Sequence, residues 1–184
     1  MASGITGIKR VLDYDDYAAI PSDGRRYELL EGDVHVTPAP SPQHQWASKR
    51  LQRQLEDYFE ARGLGRVFNA PIDVILTPHD VVQPDLVVVT DLGQISARGI
   101  EGAPALLVEV LSPTTVTYDR ATKSRRYAAL GVPHLWLLDP ETRRLECFRR
   151  ERQTWQLVIE GEADRSLDHP DWTGLTIRLA DLWM

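Results

Sequence analysis

The stretch Leu106-Leu-Val-Glu-Val-Leu111 places one carboxylate, Glu109, among five aliphatic residues that favour a β-strand. A run this apolar is typical of a strand that is covered on both faces. Burying an unpaired carboxylate costs several kcal/mol, so we predict that Glu109 is paired, hydrogen-bonded or bound to a metal ion. The alternative is an edge strand on which Glu109 faces water.

A second carboxylate precedes the previous apolar run of the chain. Asp85 follows Gln83-Pro84 and opens the run Leu86 to Val89. If the two strands pair, Asp85 and Glu109 point at one spot, where their charges repel unless a cation or a proton lies between them. Carboxylate oxygens favour Mg²⁺, which takes one or two of them together with water. The alternative is an aspartate that satisfies turn amides at the start of a strand.

The rest of the chain predicts an α/β fold with a mixed sheet and helices packed on it. Ser41-Pro42 is a favourable helix start, and Gly63 closes the apolar spacing that follows it. The predicted order is a hairpin around Gly32, a helix over 42–62, a strand over 67–76 that Pro71 interrupts, strands over 85–90 and 106–111, a helix over 119–130, a strand over 134–138, and an antiparallel hairpin from Arg143 onward.

Length and composition favour one soluble domain over residues 1–184, with a poorly defined lead-in over 1–20 and a C-terminal hairpin and tail over 141–184. The chain has 184 residues, of which 42 % are hydrophobic and 26 % charged. Its apolar runs are too short to span a membrane, and its single cysteine, Cys147, forms no internal disulfide. The cytoplasm is therefore the expected compartment.

The net charge of −6 does not attract nucleic acid, so DNA binding requires a local basic face. Arginines cluster in two places that meet this need: Arg120, Arg125 and Arg126 near the second helix, and Arg143, Arg144, Arg149, Arg150 and Arg152 on the last hairpin. The alternative is that these arginines are solvated and paired with nearby glutamates.

Lys123 is one of only three lysines and falls on the helix after the Glu109 strand. A lysine beside a metal-bound water can orient that water and offset negative charge in a phosphoryl transition state. The alternative is a lysine on a solvated helix face.

Many short motifs, taken together and in order, are similar to those of a known family. From about residue 20 to residue 184 the chain resembles the Uma-two family of putative restriction endonucleases, within the PD-(D/E)XK nuclease superfamily. The motifs are Tyr27-Glu28-Leu29, Ser41-Pro42 with His44-Gln45, Gln83-Pro84-Asp85, Val108-Glu109-Val110-Leu111-Ser112-Pro113, Asp119 with Lys123, Gly131-Val132-Pro133, and Trp136 to Pro140.

The resemblance implies a restriction-endonuclease-like core of helix, three strands, helix and strand around a metal site. Asp85 and Glu109 match the acidic residues of the motif, and the main-chain carbonyl of Val110 is a further metal ligand. The superfamily lysine falls at the position of Leu111, and in this family Lys123 takes its place.

Glu28 matches an additional acidic residue of the family's site. Glu31 is a rival for this role, and the alternative for Glu28 is an exposed hairpin carboxylate. His44, at the start of the long helix, either faces the site or makes a structural hydrogen bond. Asp119 is expected to cap the second helix rather than to bind metal.

The expected function is therefore an endonuclease that hydrolyses DNA phosphodiester bonds, with Mg²⁺ (or Mn²⁺) as cofactor and DNA as partner. A homodimer is compatible with this function, because superfamily nucleases often cut two strands as dimers. The alternatives are a non-catalytic DNA- or protein-binding module on the same fold, and a purely structural protein, which would leave Glu109 unexplained.

Overall fold

The computed structural model describes residues 10–113 and 117–184. These residues form three α-helices and thirteen strands in a mixed α/β fold, as the sequence predicts. The helices are α1 (Tyr14–Ala18), α2 (Pro42–Phe59) and α3 (Ser124–Ala129). The strands are β1 (Arg26–Leu30), β2 (Asp33–Thr37), β3 (Arg66–Asn69), β4 (Val74–Thr77), β5 (Asp80–Val82), β6 (Leu86–Val89), β7 (Ile100–Glu101), β8 (Leu106–Val110), β9 (His134–Asp139), β10 (Arg144–Glu151), β11 (Thr154–Glu162), β12 (Ser166–Asp168) and β13 (Thr176–Arg178).

A six-stranded sheet in the order β11-β10-β9-β8-β6-β3 forms the centre of the fold. Only β8 and β9 run parallel, and every other neighbouring pair is antiparallel. One face of the sheet packs against α2 and the C-terminal tail, and the other face packs around α3 and the second sheet. Because both faces of the central sheet are covered, every residue of β6 and β8 is buried.

The second sheet has the order β2-β1-β5-β4-β7 and brings the N-terminal hairpin to the end of β6. It corrects the single strand predicted over 67–76. That run divides at the cis Ala70–Pro71 bond into β3 and β4, which belong to different sheets. The short strands β5 and β7 were not predicted, because three and two residues are too few to show an alternating pattern.

Helix α2 begins where the sequence predicts and ends three residues earlier, at Phe59. The Ser41 side chain caps it by accepting a hydrogen bond from the His44 backbone N–H (3.2 Å). Its buried face, which includes Leu51 and Leu55, covers the central sheet, and Gly63 supplies the left-handed conformation (φ 66°) that follows the helix.

The second helix differs from the expected regular α-helix. Residues Tyr118–Lys123 form a π-helical segment that continues directly into α3. Asp119 does not cap this segment, which begins after Thr117 without a side-chain cap, so that expectation is wrong. Asp119 and Lys123 are instead both buried on its inner side.

The C-terminal residues form the predicted hairpin, β10 with β11, followed by the small β12–β13 sheet and a 3₁₀ turn over Leu179–Asp181. No helix among the described residues is long and apolar enough to cross a membrane. Cys147 is fully buried in the core, where it contributes packing.

Candidate functional site

Pairing between β6 and β8 brings Asp85 and the β8 residue Glu109 to one place. The register sets Leu86 opposite Val108, and the Val110 backbone N–H donates to Oδ2 of Asp85 (2.7 Å). Glu109 is only 4 % exposed, because β8 lies between β6 and β9. The alternative of a solvent-facing edge strand is therefore wrong.

Lys123 enters the same site from the π-helical segment. Its Nζ lies 2.9 Å from Oε1 of Glu109, 2.9 Å from Oε1 of Glu28 and 3.8 Å from Oδ1 of Asp119. The lysine is 3 % exposed, so the alternative of a solvated helix face is also wrong. The two 2.9 Å contacts hold the ammonium between Glu28 on β1 of one sheet and Glu109 on β8 of the other.

Glu28, and not Glu31, reaches the site from β1. Glu28 is 2 % exposed, and its Oε1 also accepts a hydrogen bond from the Gln83 backbone N–H (2.7 Å). Glu31 is exposed at the hairpin turn, where its Oε1 lies 3.4 Å from Arg126. Alternation along a strand points residues 28 and 30 to one face and residue 29 to the other, whereas Glu31 stands beyond the strand end.

His44 contacts the site from the first turn of α2. Its Nε2 lies 2.8 Å from Oδ1 of Asp85, so both oxygens of this carboxylate have a partner. Donors on both oxygens fix the rotation of the carboxylate, in the way that outer partners orient metal ligands. His44 therefore faces the site and makes a structural hydrogen bond there.

Tyr127 and Gln83 also belong to the site, although the sequence predicted neither as a functional residue. The Tyr127 hydroxyl donates to Oε1 of Glu109 (2.6 Å). Tyr127 lies among the apolar residues of α3, and its ring is fully buried. The hydroxyl contact depends on the distance between helix and sheet, which no sequence pattern encodes.

The electrostatics of the site are dominated by negative charge. Three buried carboxylates, those of Glu28, Glu109 and Asp119, lie around the ammonium of Lys123, and a fourth, that of Asp85, lines the same cleft. Burial raises the pKa of Glu109 to about 8, an effect that Lys123 opposes and the other carboxylates reinforce. Burial also disfavours the charged form of Lys123, but Glu109 and Glu28 outweigh this and raise its pKa.

These residues line a cleft of about 550 Å³ between the N-terminal hairpin, the start of α2 and the end of β8. Another part of the lining carries His35 of β2, whose ring is tilted against that of Tyr118 at 4.9 Å between ring centroids. The cleft therefore combines a floor of carboxylates around Lys123 with aromatic and apolar groups.

Four of the eight arginines in the two clusters are paired with carboxylates. Arg120 pairs with Glu146, Arg144 pairs with Glu160, and Arg149 lies 2.6 Å from Asp171. Arg126 pairs with the fully buried Asp80 at 2.7 Å. For these four arginines the pairs support the alternative of compensation by carboxylates.

A second polar group, made of His134, His169 and Asp171, lies at the other end of β9. Burial lowers the pKa of both histidines, that of His169 to about 4. The Asp171 backbone N–H donates to Nδ1 of His169 (3.2 Å), so the neutral ring carries its proton on Nε2. A protonated Nε2 cannot ligate a metal, and we assign this group to the packing of the tail against Trp136 and Trp172.

The chain is similar to known proteins in family, in sequence and in fold. Residues 14–180 match the Uma2 family, described as "Putative restriction endonuclease". An uncharacterized protein of Synechocystis, slr1290, is 29 % identical over 145 residues, which are 78 % of this chain and 76 % of that protein. A crystal structure from Anabaena variabilis, described as a putative nuclease belonging to DUF820, superposes with a TM-score of 0.74 at 19 % identity, over 93 % of this chain and 97 % of that one.

Proposed function

Because the chain belongs to the Uma2 family of putative restriction endonucleases, we propose that it is a metal-dependent endonuclease that hydrolyses DNA phosphodiester bonds. The family and the shared fold support a nuclease, but a fold alone does not establish a reaction. The observation that carries the proposal is the excess of carboxylates at the floor of the cleft, where Glu28, Glu109 and Asp119 share one lysine and Asp85 lines the same cleft.

These residues suit Mg²⁺ or Mn²⁺. Hard divalent cations prefer carboxylate and carbonyl oxygens, and this site offers both types on adjacent strands. Oε1 of Glu109 is engaged by Lys123 and Tyr127, which leaves Oε2 as the oxygen for a metal. Asp85 and Glu109 would hold the ion, with the main-chain carbonyl of Val110 as a third ligand.

When bound, the metal lowers the pKa of a coordinated water and neutralises charge on the scissile phosphate. The protein's own residues hold the geometry for this reaction. Asp85 is oriented by His44 and the Val110 N–H, and Glu109 is oriented by Tyr127. Lys123, held between Glu28 and Glu109, donates hydrogen bonds to the attacking water or to a phosphate oxygen as negative charge develops.

A non-catalytic binding module is the second candidate function. The net charge of −6 and the paired arginines favour it, because neither feature attracts DNA over the whole surface. A binding module has no need of four buried carboxylates in one cleft, which cost free energy to bury unless a cation or a reaction requires them.

Cleavage of supercoiled plasmid and of single-stranded DNA, with Mg²⁺ or Mn²⁺ and with a chelator, tests the proposal. We expect the wild type to cut only with metal, and Glu109→Gln to lower the rate by about 10³-fold, because the neutral amide removes a metal ligand without changing the volume. Glu28→Gln should also slow cleavage, and Glu31→Gln, on the same hairpin outside the cleft, should leave the rate unchanged.

Two results would overturn this function. Cutting by Glu109→Gln at the wild-type rate would show that the reaction does not use this site. A wild type that binds DNA but cuts neither substrate with either metal would support the binding module instead.

A further inference from the structure

A second arm of the cleft opens beside Asp85 and runs along the first turns of α2. This side arm has a volume of about 380 Å³ and shares Arg26, Pro40, His44 and Asp85 with the main cleft. Its other polar lining residues are Gln45, Ser48, Lys49, Gln52 and Asn69. Within residues 10–113 and 117–184, Asp85 at the junction is the one carboxylate that lines the side arm, so the charge of the groove changes from negative on the main floor to positive here.

Arg26 stands at the junction of the two arms. Its Nε donates to Oε1 of Gln83 (3.2 Å) and its Nη2 donates to the Gln83 carbonyl (2.9 Å). The Gln83 amide is fixed in turn, because its Nε2 donates to Asp73 (2.9 Å). Arg26 forms no ion pair with a carboxylate of residues 10–113 and 117–184, so its orientation is fixed while its charge stays uncompensated.

Lys49 provides the second uncompensated cation of the side arm. It is exposed on α2, and within the described part of the chain it forms no salt bridge. By contrast, Lys123 of the main floor is held by two carboxylates at 2.9 Å. Two uncompensated cations among neutral amide and hydroxyl groups are suited to phosphate oxygens, since each group offers hydrogen-bond donors.

We propose that the side arm binds the phosphates of the nucleic-acid strand next to the scissile bond, with Arg26 on the phosphate nearest Asp85 and Lys49 on a phosphate further along the strand. This inference rests on the proposed function. It identifies the substrate as a polynucleotide rather than a small phosphodiester. It also places the part of the nucleic-acid strand that extends away from the scissile bond along α2. Contacts of this kind are to the backbone and do not read base sequence.

Binding of a fluorescently labelled single-stranded oligonucleotide, measured by anisotropy in the Glu109→Gln background with Mg²⁺, tests the inference without cleavage. We expect Arg26→Gln to raise the Kd about tenfold, because a charge-assisted hydrogen bond is lost. Lys49→Gln should raise it about threefold, and each change should lower the slope of log K against log salt by about 0.7.

Arg53→Gln is the matched control, since Arg53 is one helical turn beyond Lys49 on α2 and does not line the side arm. It should leave both the Kd and the salt slope unchanged. Equal affinities for Lys49→Gln, Arg26→Gln and Arg53→Gln would overturn the inference. Thermal melts identify any loss of folding in Arg26→Gln, and the exposed Lys49 keeps the test decisive if that variant unfolds.

The binding test and the cleavage test fail independently. If the wild type cuts DNA with metal but the side-arm variants bind normally, the proposed function stands and the side arm has another role. If the side-arm variants lose affinity while no metal supports cleavage, the strand-binding inference stands and the nuclease proposal fails.

Discussion

Replacing Lys123 by methionine should lower the free energy of unfolding by about 3–5 kcal/mol, which is the usual cost of removing one partner of a buried ion pair. Methionine keeps most of the side-chain volume, so the loss reports on charge rather than on a cavity. Glu28 and Glu109 are 2 % and 4 % exposed, and without the ammonium they have no counter-charge within reach in the described structure. Urea unfolding followed by tryptophan fluorescence measures the change.

The loss of unfolding free energy in Lys123→Met should become smaller as the pH falls. Without the lysine, the buried carboxylates bind protons more readily in the folded state than in the unfolded state, so lower pH favours folding of the variant. Lys49→Met is the matched control and should change stability by less than about 0.5 kcal/mol, because this lysine is exposed. A Lys123→Met protein as stable as Lys49→Met would contradict the buried ion pairs.

Replacing Asp80 by alanine should cost about 3 kcal/mol, the second large effect that the structure predicts. Asp80 is fully buried and accepts hydrogen bonds from both nitrogens of the Arg126 fork, from the Thr77 hydroxyl (2.6 Å) and from the Glu31 backbone N–H (3.0 Å). Asp80 therefore connects α3, through Arg126, to the β1–β2 turn and to the β4–β5 turn of the second sheet.

The pH dependence of the Asp80 contribution has a definite sign. Burial opposes ionisation, but the donors from Arg126, Thr77 and Glu31 outweigh it and lower the pKa of Asp80 below its ordinary 3.8. The stability that Asp80 adds is present above that ordinary value and is lost as the pH falls through the lower folded-state value. Unfolding free energies of wild type and Asp80→Ala should therefore converge in strong acid, and Asp57→Ala, at an exposed position, should match the wild type throughout.

Asp85 and Glu109 were predictable from the sequence, because a short apolar run already indicates a buried strand. Glu109 interrupts an apolar strand and Asp85 opens the preceding one, and two such strands usually pair. Glu28 was expected only through the family resemblance, whereas Lys123 was a candidate from its position after the Glu109 strand, and the resemblance strengthened it. Neither a hairpin glutamate nor a helix lysine carries a local sign of burial, but both are buried in the cleft, with Lys123 at the end of the π-helical segment.

Arg26 was overlooked although a signal existed. It precedes Glu28 by two residues, and alternation points both side chains to the same face of β1. The π-helical segment had no comparable signal, and Pro71 marks an interruption of the 67–76 run without showing that its two parts join different sheets. The π-helical segment depends on the buried contacts of Asp119 and Lys123, and the division of the run depends on which sheet each short strand joins.

Titration of the metal-free protein with Mn²⁺ or Mg²⁺ in a calorimeter tests the central claim most directly, since it examines the carboxylate site itself without any assumption about substrate. The account predicts that the wild type binds the cation and that Asp85→Asn weakens binding by at least about tenfold, while Asp57→Asn, at an exposed position on α2, binds as the wild type does. No binding by the wild type, or equal affinity in wild type and Asp85→Asn, would contradict a metal site at Asp85 and Glu109.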